Sequence, residues 1–356
     1  MGKKSRTSSG EKSTSHMLVI RLSAMGDVAM TVPVISALTN QYPQLKITVL
    51  TREFFRPMFS QIPEINVYAA DVKGKHKGVA GLWKLYKELK ALHMDAVADL
   101  HHVLRSNILK KFFLLDAVPF VQINKGRAEK KSLTALKNKI FKPLKTTHER
   151  YADVFSRLGF PLDIGHTVVL PKQALSDKAL GIVGSDAKRW IGIAPFAAFE
   201  GKTYPTDLME RVIRALNNTE KYKILFFGGT NEKAMLDYWE KQFGHCVNIA
   251  GKLSFQEELA LISNLDLMLC MDSGNAHLSA MYGVPTITLW GVTHPYAGFY
   301  PFKQDADNAL LSDRETYPLI PTSVYGNRMP KGYEKVMETI SPHEVFLKIN
   351  KILNEK

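Results

Sequence analysis

The stretch RLSAMGDVAMTVPV, Arg21–Val34, follows the short apolar run LVI and leads into VPVISAL. The first run is typical of a buried β-strand, and the run that follows has the apolar spacing of a helix. Between them lies a turn of small residues that presents one carboxylate, Asp27. A strand that leads through a tight turn into a helix is the repeating unit of α/β proteins with parallel sheets.

The same alternation of short apolar runs and longer amphipathic runs occurs in two consecutive blocks, which predicts two α/β domains, each with a parallel sheet. The predicted strands of the first block are Leu18–Arg21, Ile47–Thr51, Val67–Ala70, Ala96–Leu100 and Phe120–Ile123. Those of the second block are Trp190–Ala194, Lys223–Phe227, Val247–Ile249, Leu267–Cys270 and Thr286–Leu289.

The predicted boundaries follow from this pattern and from Pro and Gly punctuation. We expect residues 17–165 to form the first domain, 166–185 a linker, 186–340 the second domain and 341–356 a C-terminal helix. Residues 1–16 are polar, basic and Ser-rich, and they predict a disordered leader or an expression tail. They are too hydrophilic for a signal peptide, which needs an apolar core.

The composition limits the class of protein. A chain of 356 residues with 45% hydrophobic and 23% charged residues is typical of a soluble globular protein. No apolar run approaches the roughly 18 residues that span a bilayer. The two cysteines cannot form a disulfide framework, so we expect a reducing, cytoplasmic compartment.

The formal net charge of +13 is unusual, and much of it is concentrated. Residues 101–150 carry twelve lysines and arginines against three acids. Such an excess favours an anionic partner: a nucleic acid, a phosphorylated small molecule or an anionic membrane face. A merely solvated helical face is the alternative interpretation.

Three loops at predicted strand ends carry chemistry, because ligands of open parallel sheets bind beyond the carboxyl ends of the strands. In the first loop, Gly26 permits close backbone approach and Asp27 stands at the start of a helix. Asp27 has two interpretations that the sequence leaves open. It is either a helix cap or a general base at the mouth of a cleft.

The second loop lies in LCMDSGNAHLSAMYGVPTITLWG, Leu269–Gly291. Small residues at a helix start expose backbone N–H groups, and these together with the helix dipole suit a phosphate. The pattern Asp272-Ser273-Gly274 followed by His277 therefore predicts an anion site, with a capped helix as the alternative.

The third loop, within APFAAFEGKTYPTDLMERVI, carries Lys202, whose charge can neutralise a leaving phosphate. FFGGTNEK, Phe226–Lys233, has the paired glycines of a tight turn, which is a weak nucleotide signal. Neither a dinucleotide-binding G-x-G-x-x-G nor a P-loop is present. His101-His102 lacks a third ligand at zinc-site spacing, so we expect no metal.

Together the three loops resemble the heptosyltransferase family, glycosyltransferases that build the inner core of bacterial lipopolysaccharide. The resemblance runs from about residue 17 to 301, and it rests on three segments. These are VIRLSAMGDVAMTVPVISAL, GKTYP and NIAGKLSFQEELALISNLDLMLCMDSGNAHLSAMYGVPTITLWG. It implies a GT-B fold, two Rossmann-like domains facing a central cleft, with the C-terminal helix as a candidate to cross back to the first domain.

The resemblance also implies roles for residues. Asp27 would be the general base of an inverting transfer, and Lys202 would offset the charge of the departing nucleotide. The donor, ADP-heptose in characterised members, would contact Asp272, Ser273, Gly274, His277 and Lys202, and the acceptor would contact Ser23, Gly26 and Arg105. The family implies no metal and no cofactor besides the nucleotide-sugar substrate.

The implied acceptor is an anionic, lipid-linked glycan, which predicts peripheral contact with the inner face of a bacterial inner membrane and no nucleic-acid partner. Two departures loosen the donor assignment, because Tyr204 stands where the family commonly has Trp and residues 196–201 have no matching pattern. Two alternatives remain: an enzyme of the same fold with another nucleotide-sugar, and a non-catalytic protein that binds polyanions or lipid.

Overall fold

The computed structural model describes residues 15–184 and 186–355. Residues 1–14, which make up most of the predicted leader, lie outside that part of the chain. The predicted boundary after residue 16 is wrong, because His16 already begins the first strand. The buried imidazole of His16 forms hydrogen bonds with the Leu92 carbonyl through Nδ1 (3.1 Å) and with the Thr48 hydroxyl through Nε2 (2.9 Å). These contacts make His16 part of the first domain.

The first domain is a parallel sheet of five strands in the order β3-β2-β1-β4-β5, with helices in the crossovers. The apolar strand β1 lies at its centre and is buried along its whole length, as the run of hydrophobic residues predicts. The elements are β1 His16–Ile20, α1 Met25–Ala29, α2 Thr31–Gln41, β2 Lys46–Thr51, β3 Ile65–Ala69, α3 Gly78–Lys90, β4 Ala96–Asp99, α4 Leu104–Leu114, β5 Phe120–Gln122, α5 Arg127–Leu133 and α6 Thr147–Ser156.

The second domain is a parallel sheet of six strands in the order β11-β10-β9-β6-β7-β8. The buried strand β9 lies inside it, next to β6 and β10. The elements are α7 Asp177–Val183, β6 Arg189–Ala194, α8 Thr206–Asn217, β7 Tyr222–Phe226, α9 Lys233–Gln242, β8 Cys246–Asn248, α10 Phe255–Ser263, β9 Leu267–Met271, α11 Gly274–Met281, β10 Thr286–Trp290, β11 Ala309–Leu311 and α12 Pro342–Asn354.

All ten predicted strands are present with bounds shifted by at most two residues, and the two-domain α/β architecture is confirmed. The three-residue edge strand Ala309–Leu311 was not predicted. It follows the largely polar segment 303–308 with no predicted helix before it, so the strand–helix alternation does not mark it.

The chain passes from one domain to the other between Asp163 and Leu170. Asp163 exchanges backbone hydrogen bonds with the Gln41 side chain of α2. Leu170 donates its N–H to the Met281 carbonyl of α11. The predicted linker, 166–185, is not wholly extended, since residues 177–183 form α7 and bury Ala179 and Val183.

The prediction that the C-terminal helix crosses back to the first domain is wrong. Helix α12 packs against α8 and buries Val345, Ile349 and Leu353 in the apolar core of the second domain. Arg189 of β6 donates a hydrogen bond to the Leu353 carbonyl. The helix stays with the second domain because its apolar stripe completes the core there.

Candidate active site

The two domains meet where helices α1 and α11 begin. A Cβ atom on Gly26 would lie 2.9 Å from His277 Cδ2 and 3.3 Å from Gly274 Cα. A Cβ on Gly274 would lie 2.5 Å from Met25 Cε. One glycine on each side of the junction therefore allows the two helix N-termini to approach closely.

A cavity of about 270 Å³, which we term the junction cavity, opens at this meeting point. Parallel strands point their carboxyl ends at the same edge of each sheet, so the loops after β1 and β9 face each other across it. Seven of the nine residues that the sequence singles out line this one cavity, which makes it the candidate active site. They are Gly26, Asp27, Lys202, Asp272, Ser273, Gly274 and His277.

Asp27 is the third residue of α1, not its N-cap, which is Ala24. Its Oδ2 accepts the backbone N–H of Ala24 at 3.2 Å and an ion pair from Arg21 Nη2 at 2.5 Å. The side chain stays 29% exposed and lines the junction cavity. The Asp27 carboxylate can thus stabilise the start of the helix and also face a ligand. The sequence offered these two roles as alternatives.

Arg21 is a site residue that the sequence analysis missed, although it stands in the opening motif. It is buried, and its Nη1 donates to the Leu100 carbonyl at 2.7 Å. The guanidinium also lies 5.9 Å from the centroid of the Tyr151 ring. The one signal in the sequence is a charged residue at the end of an otherwise apolar strand, because a buried charge needs a partner.

On the opposite wall, Lys202 Nζ forms an ion pair with Asp272 Oδ2 at 3.0 Å, and both side chains are largely buried. The hydroxyl of Thr293 donates to the same oxygen at 2.9 Å. The structure thus brings the third loop onto the second, and it holds the lysine charge beside the start of α11. An anion bound there would share Lys202 with Asp272.

Two polar atoms at the start of α11 are buried and have no hydrogen-bond partner within the described residues: Ser273 Oγ and His277 Nδ1. Burial lowers the pKa of His277 to about 4, and Lys202 lowers it further, while Asp272 and Asp27 oppose the shift. The imidazole is therefore neutral near pH 7. Unpaired buried polar groups are uncommon, and their position at a helix N-terminus suits a phosphate ligand.

A second cavity, of about 210 Å³, adjoins Asp27 on the first-domain side, and we term it the basic cavity. Its lining includes Arg21, Lys125, Lys130 and Arg150, and Asp27 is the single acid among its lining residues. Burial lowers the pKa of Lys130 to about 8, and the neighbouring Arg150 lowers it as well. Cations crowded in this way favour an anionic ligand.

The other two predicted acceptor residues have different placements. Ser23 lines the basic cavity, and its hydroxyl lies 3.4 Å from His101 Nε2. Arg105 is exposed near the start of α4 and is not among the residues lining the junction cavity or the basic cavity. The basic stretch of the sequence reaches the site through Lys125, Lys130 and Arg150 instead.

A third cavity, of about 540 Å³, extends from Ser273 and Gly274 along the second domain, and we term it the large cavity. The paired glycines Gly228 and Gly229, which the sequence marked only weakly, line it. Phe196, Ala197 and Ala198 of the unmatched loop line it too, whereas Tyr204 is buried in the core and donates its hydroxyl to the Ile340 carbonyl at 2.6 Å. The Trp-to-Tyr departure therefore lies outside the cavities.

In the described part of the chain, no three His, Cys, Asp or Glu side chains are grouped so that they could hold a metal ion. Likewise, none of the helices in residues 15–184 and 186–355 is long and apolar enough to cross a membrane.

Comparison with known proteins agrees with this architecture. The family description "Glycosyltransferase family 9 (heptosyltransferase)" matches residues 82–323. The lipopolysaccharide core heptosyltransferase OpsX of Haemophilus influenzae is 27% identical over 289 residues, which cover 78% of this chain and 80% of that protein. The family match includes β9 and α11, which carry the second-domain side of the junction cavity, and α10, which lines the large cavity.

Solved structures share the fold. A glycosyl transferase family 9 structure from Veillonella parvula superposes with a TM-score of 0.75 at 21% identity, covering 98% of this chain and 99% of that one. The Escherichia coli heptosyltransferase WaaC with ADP gives a TM-score of 0.65 at 18% identity, covering 95% and 99%. The predicted arrangement of two Rossmann-like domains is confirmed by these likenesses.

Proposed function

The chain belongs to glycosyltransferase family 9, and from this membership we propose that it transfers a heptose from an ADP-activated donor to the inner core of lipopolysaccharide. The observation that carries the proposal is the junction cavity. There one carboxylate from the first domain faces a buried lysine, an orphan hydroxyl and a helix N-terminus from the second. The names of the relatives, which are heptosyltransferases of lipopolysaccharide and lipooligosaccharide, support this choice of sugar and acceptor.

The donor diphosphate lies at the start of α11 in this proposal. The N–H groups of Ser273 and Gly274 and the free Ser273 hydroxyl bind its oxygens. Lys202 is held 3.0 Å from Asp272, and it stabilises the negative charge that grows as the nucleotide leaves. His277, neutral and with one nitrogen free, is a further hydrogen-bonding group for the donor.

Asp27 is the general base. As the acceptor hydroxyl oxygen attacks the anomeric carbon, Asp27 takes the hydroxyl proton, the bond from that carbon to the phosphate oxygen breaks, and ADP departs. Attack from the side opposite the leaving group inverts the anomeric centre. The opposed positions of Asp27 and Lys202 on the two walls of the junction cavity support this direction of attack.

The basic cavity receives an anionic group of the acceptor. Three cations, Lys125, Lys130 and Arg150, surround a space that adjoins Asp27 and that has no other acid in its lining. An acidic sugar or a phosphate bound there brings a neighbouring hydroxyl toward the base. The acceptor domain is thus the first domain, and the donor domain is the second.

Such an acceptor is anchored in a membrane by its lipid, so the enzyme must reach it at the membrane surface. We therefore propose peripheral attachment at the cytoplasmic face. Residues 131–148 contain five lysines and no acid, and four of these lysines are exposed: Lys131, Lys137, Lys142 and Lys145. Within this segment Leu136 and Ile140 are 62% and 51% exposed. Exposed apolar side chains among lysines suit an anionic bilayer, where each cation near the surface contributes about 1 kcal/mol.

The first experiment is a transfer assay with ADP-heptose and a lipopolysaccharide inner-core acceptor, in which both ADP release and glycosylated product are measured. Product formation with an inverted anomeric centre supports the proposal. ADP binding without transfer would support ADP as the donor nucleotide and refute this acceptor. A preference for UDP or GDP in a binding panel would refute ADP as the donor nucleotide. That last outcome would favour a glycosyltransferase with another nucleotide-sugar, an alternative that the divergent loop at Phe196–Ala198 keeps open.

Membrane attachment has its own test. Binding to vesicles of phosphatidylethanolamine and phosphatidylglycerol should weaken as salt rises, because exposed charges are screened. The double variant Leu136→Ser, Ile140→Ser should bind more weakly than the wild type, while Leu347→Ser, which alters an exposed leucine of α12, should not. Binding that ignores salt would refute the attachment.

A further inference from the structure

One wall of the large cavity carries a carboxyl group that has no partner in the described part of the chain. Glu258 lies on α10 and lines the cavity together with Leu253, Phe255 and Leu278. Within residues 15–184 and 186–355 its side chain has no hydrogen-bond or ion-pair partner. The other titratable side chain in the lining, Glu232, is engaged by the Gly229 N–H at 2.6 Å.

No cation in the described part of the chain forms an ion pair with Glu258. On the short 3-10 helix Glu53–Phe59, which packs against α10, Arg56 is paired with Glu53 at 2.8 Å. Burial alone raises the pKa of Glu258 to about 7. Glu258 is only half-buried, so its carboxyl group is reachable from the cavity, and a polar ligand there can take the place of the water that meets it.

The shape of the large cavity suits a nucleotide. One end is formed by Ser273 and Gly274 at the start of α11, where backbone N–H groups can meet phosphates. The apolar part is bordered by Phe54 and Phe255, whose rings are stacked 4.6 Å apart at 16°. A planar heterocycle packs well on aromatic and aliphatic side chains, and Glu258 lies among them.

We propose that Glu258 determines the nucleobase of the donor by accepting a hydrogen bond from the exocyclic amino group of adenine. The inference rests on the proposed function, since it requires that the donor nucleotide occupies the large cavity. It adds a residue that neither the sequence motifs nor the family membership assigns.

The chemistry follows from the donors and acceptors on each base edge. The 6-amino group of adenine donates, and a carboxyl group accepts whether it is ionised or neutral. Uracil has carbonyl acceptors on both sides of its single N–H, so at the position of the amino group it would set an acceptor against the ionised carboxylate of Glu258. Sites that hydrogen-bond one group of a substrate reject an analogue that lacks it, because their own polar group is then left unpaired.

The test compares two nucleotides that differ only in the amino group: ADP and purine riboside 5′-diphosphate. Dissociation constants are measured by calorimetry for the wild type, Glu258→Leu and Glu258→Gln. The wild type should bind ADP about tenfold or more tightly than the analogue, as expected for a hydrogen bond to a carboxylate. In Glu258→Leu the ratio should fall to within about twofold, and Glu258→Gln, which keeps an acceptor oxygen, should lie between.

The matched control is Glu257→Gln on the neighbouring position of α10. Its carboxylate accepts from Ser254 N at 2.8 Å and from the Ser176 hydroxyl at 2.9 Å, so it is occupied elsewhere. It should keep the wild-type ratio, and thermal unfolding checks that each variant is folded.

The possible failures are distinguishable. Equal binding of both nucleotides by the wild type, or an unchanged ratio in Glu258→Leu, would overturn the role of Glu258 and leave the proposed function intact. A wild type that binds neither nucleotide would overturn the donor site itself.

Discussion

Arg21 and Asp27 form an ion pair of 2.5 Å in which the arginine is buried and the aspartate faces a cavity. Arg21 directly follows β1, its N–H donates to the Leu50 carbonyl of β2 and its side chain to the Leu100 carbonyl, so its position is set by the sheet. Asp27 lies six residues later on the first turn of α1. The buried arginine, held by the sheet, therefore orients the exposed carboxylate.

Replacing Asp27 with Asn should abolish transfer and spare donor binding, because base and donor contacts lie on different domains. General-base catalysis contributes about 10²- to 10⁴-fold, so we expect turnover to fall at least a hundredfold. Initial rates with ADP-heptose measure turnover, and calorimetry with ADP measures binding. Retention of more than a tenth of wild-type turnover would mean that Asp27 is not the base.

Replacing Arg21 with Met should lower kcat about tenfold or more with little change in ADP affinity, since a displaced carboxylate reacts poorly. Arg21→Lys should recover part of the loss, because the ammonium retains a charge near Asp27 although it lacks the planar fork. Steady-state kinetics separates kcat from KM for both variants. Equal activity of the Met and Lys variants would argue against a positioning role.

Replacing Gly26 with Ala should reduce transfer more than it reduces stability. The new methyl group would lie 2.9 Å from His277 Cδ2, and that ring is buried and cannot swing away. The domains must separate slightly, and a misplacement near 1 Å can cost about a hundredfold in rate. The control is Gly181→Ala on α7, where no atom lies within 4 Å and helix propensity should stabilise the protein by about 0.5–1 kcal/mol.

Replacing Lys202 with Met should weaken ADP binding about tenfold or more, because a buried charge-assisted contact to phosphate is lost. The melting temperature without ligand should also fall, since among the described residues the Asp272 carboxylate then keeps Thr293 alone as its partner. Calorimetry and thermal unfolding measure the two effects. Lys90→Met, which breaks a pair with Asp116 in the first domain, should leave ADP affinity unchanged.

Glu258 should make stability depend on pH. Its pKa is raised from 4.5 to about 7 by burial, so the native state holds a proton that the unfolded chain releases between those values. The free energy of unfolding is therefore unaffected by this pKa difference below about pH 4.5, and it decreases as the pH rises toward 7. Glu258→Gln removes this decrease in stability, because glutamine does not titrate.

The measurement is thermal unfolding of the ligand-free protein at several pH values. Glu258→Gln should melt about 2–4 °C above the wild type at pH 8, the shift expected from about 1 kcal/mol in a domain of this size. At pH 4.5 the two should coincide. A constant difference across the pH range would mean that Glu258 does not titrate with the raised pKa.

Local sequence patterns were sufficient for much of the fold. The opening motif Arg21–Val34 contains an apolar strand end, a glycine turn and a helix start, and each is a short-range property. The same holds for the loop around Ser273. Seven of the nine residues singled out share the junction cavity because the ends of parallel strands converge by geometry once the sheets form.

Other features depended on contacts between distant parts of the chain. The C-terminal helix has an apolar stripe, but its choice of the second domain depended on the surface of α8. Arg105 belongs to the basic stretch, yet the direction of α4 leaves it exposed. Charge counts locate a basic segment, whereas side-chain direction decides which cations reach a cavity.

The sequence by itself determined two α/β domains and the loops that carry their chemistry, because strand and helix periodicity, turn glycines and helix starts are encoded within a few residues. Only the tertiary structure decided that Arg21 pairs with Asp27, that Gly26 lies against His277, and that Glu258 has no partner among the described residues. These relationships join residues from different elements or domains, and burial, which makes an unpaired charge costly, is a property of the assembled fold.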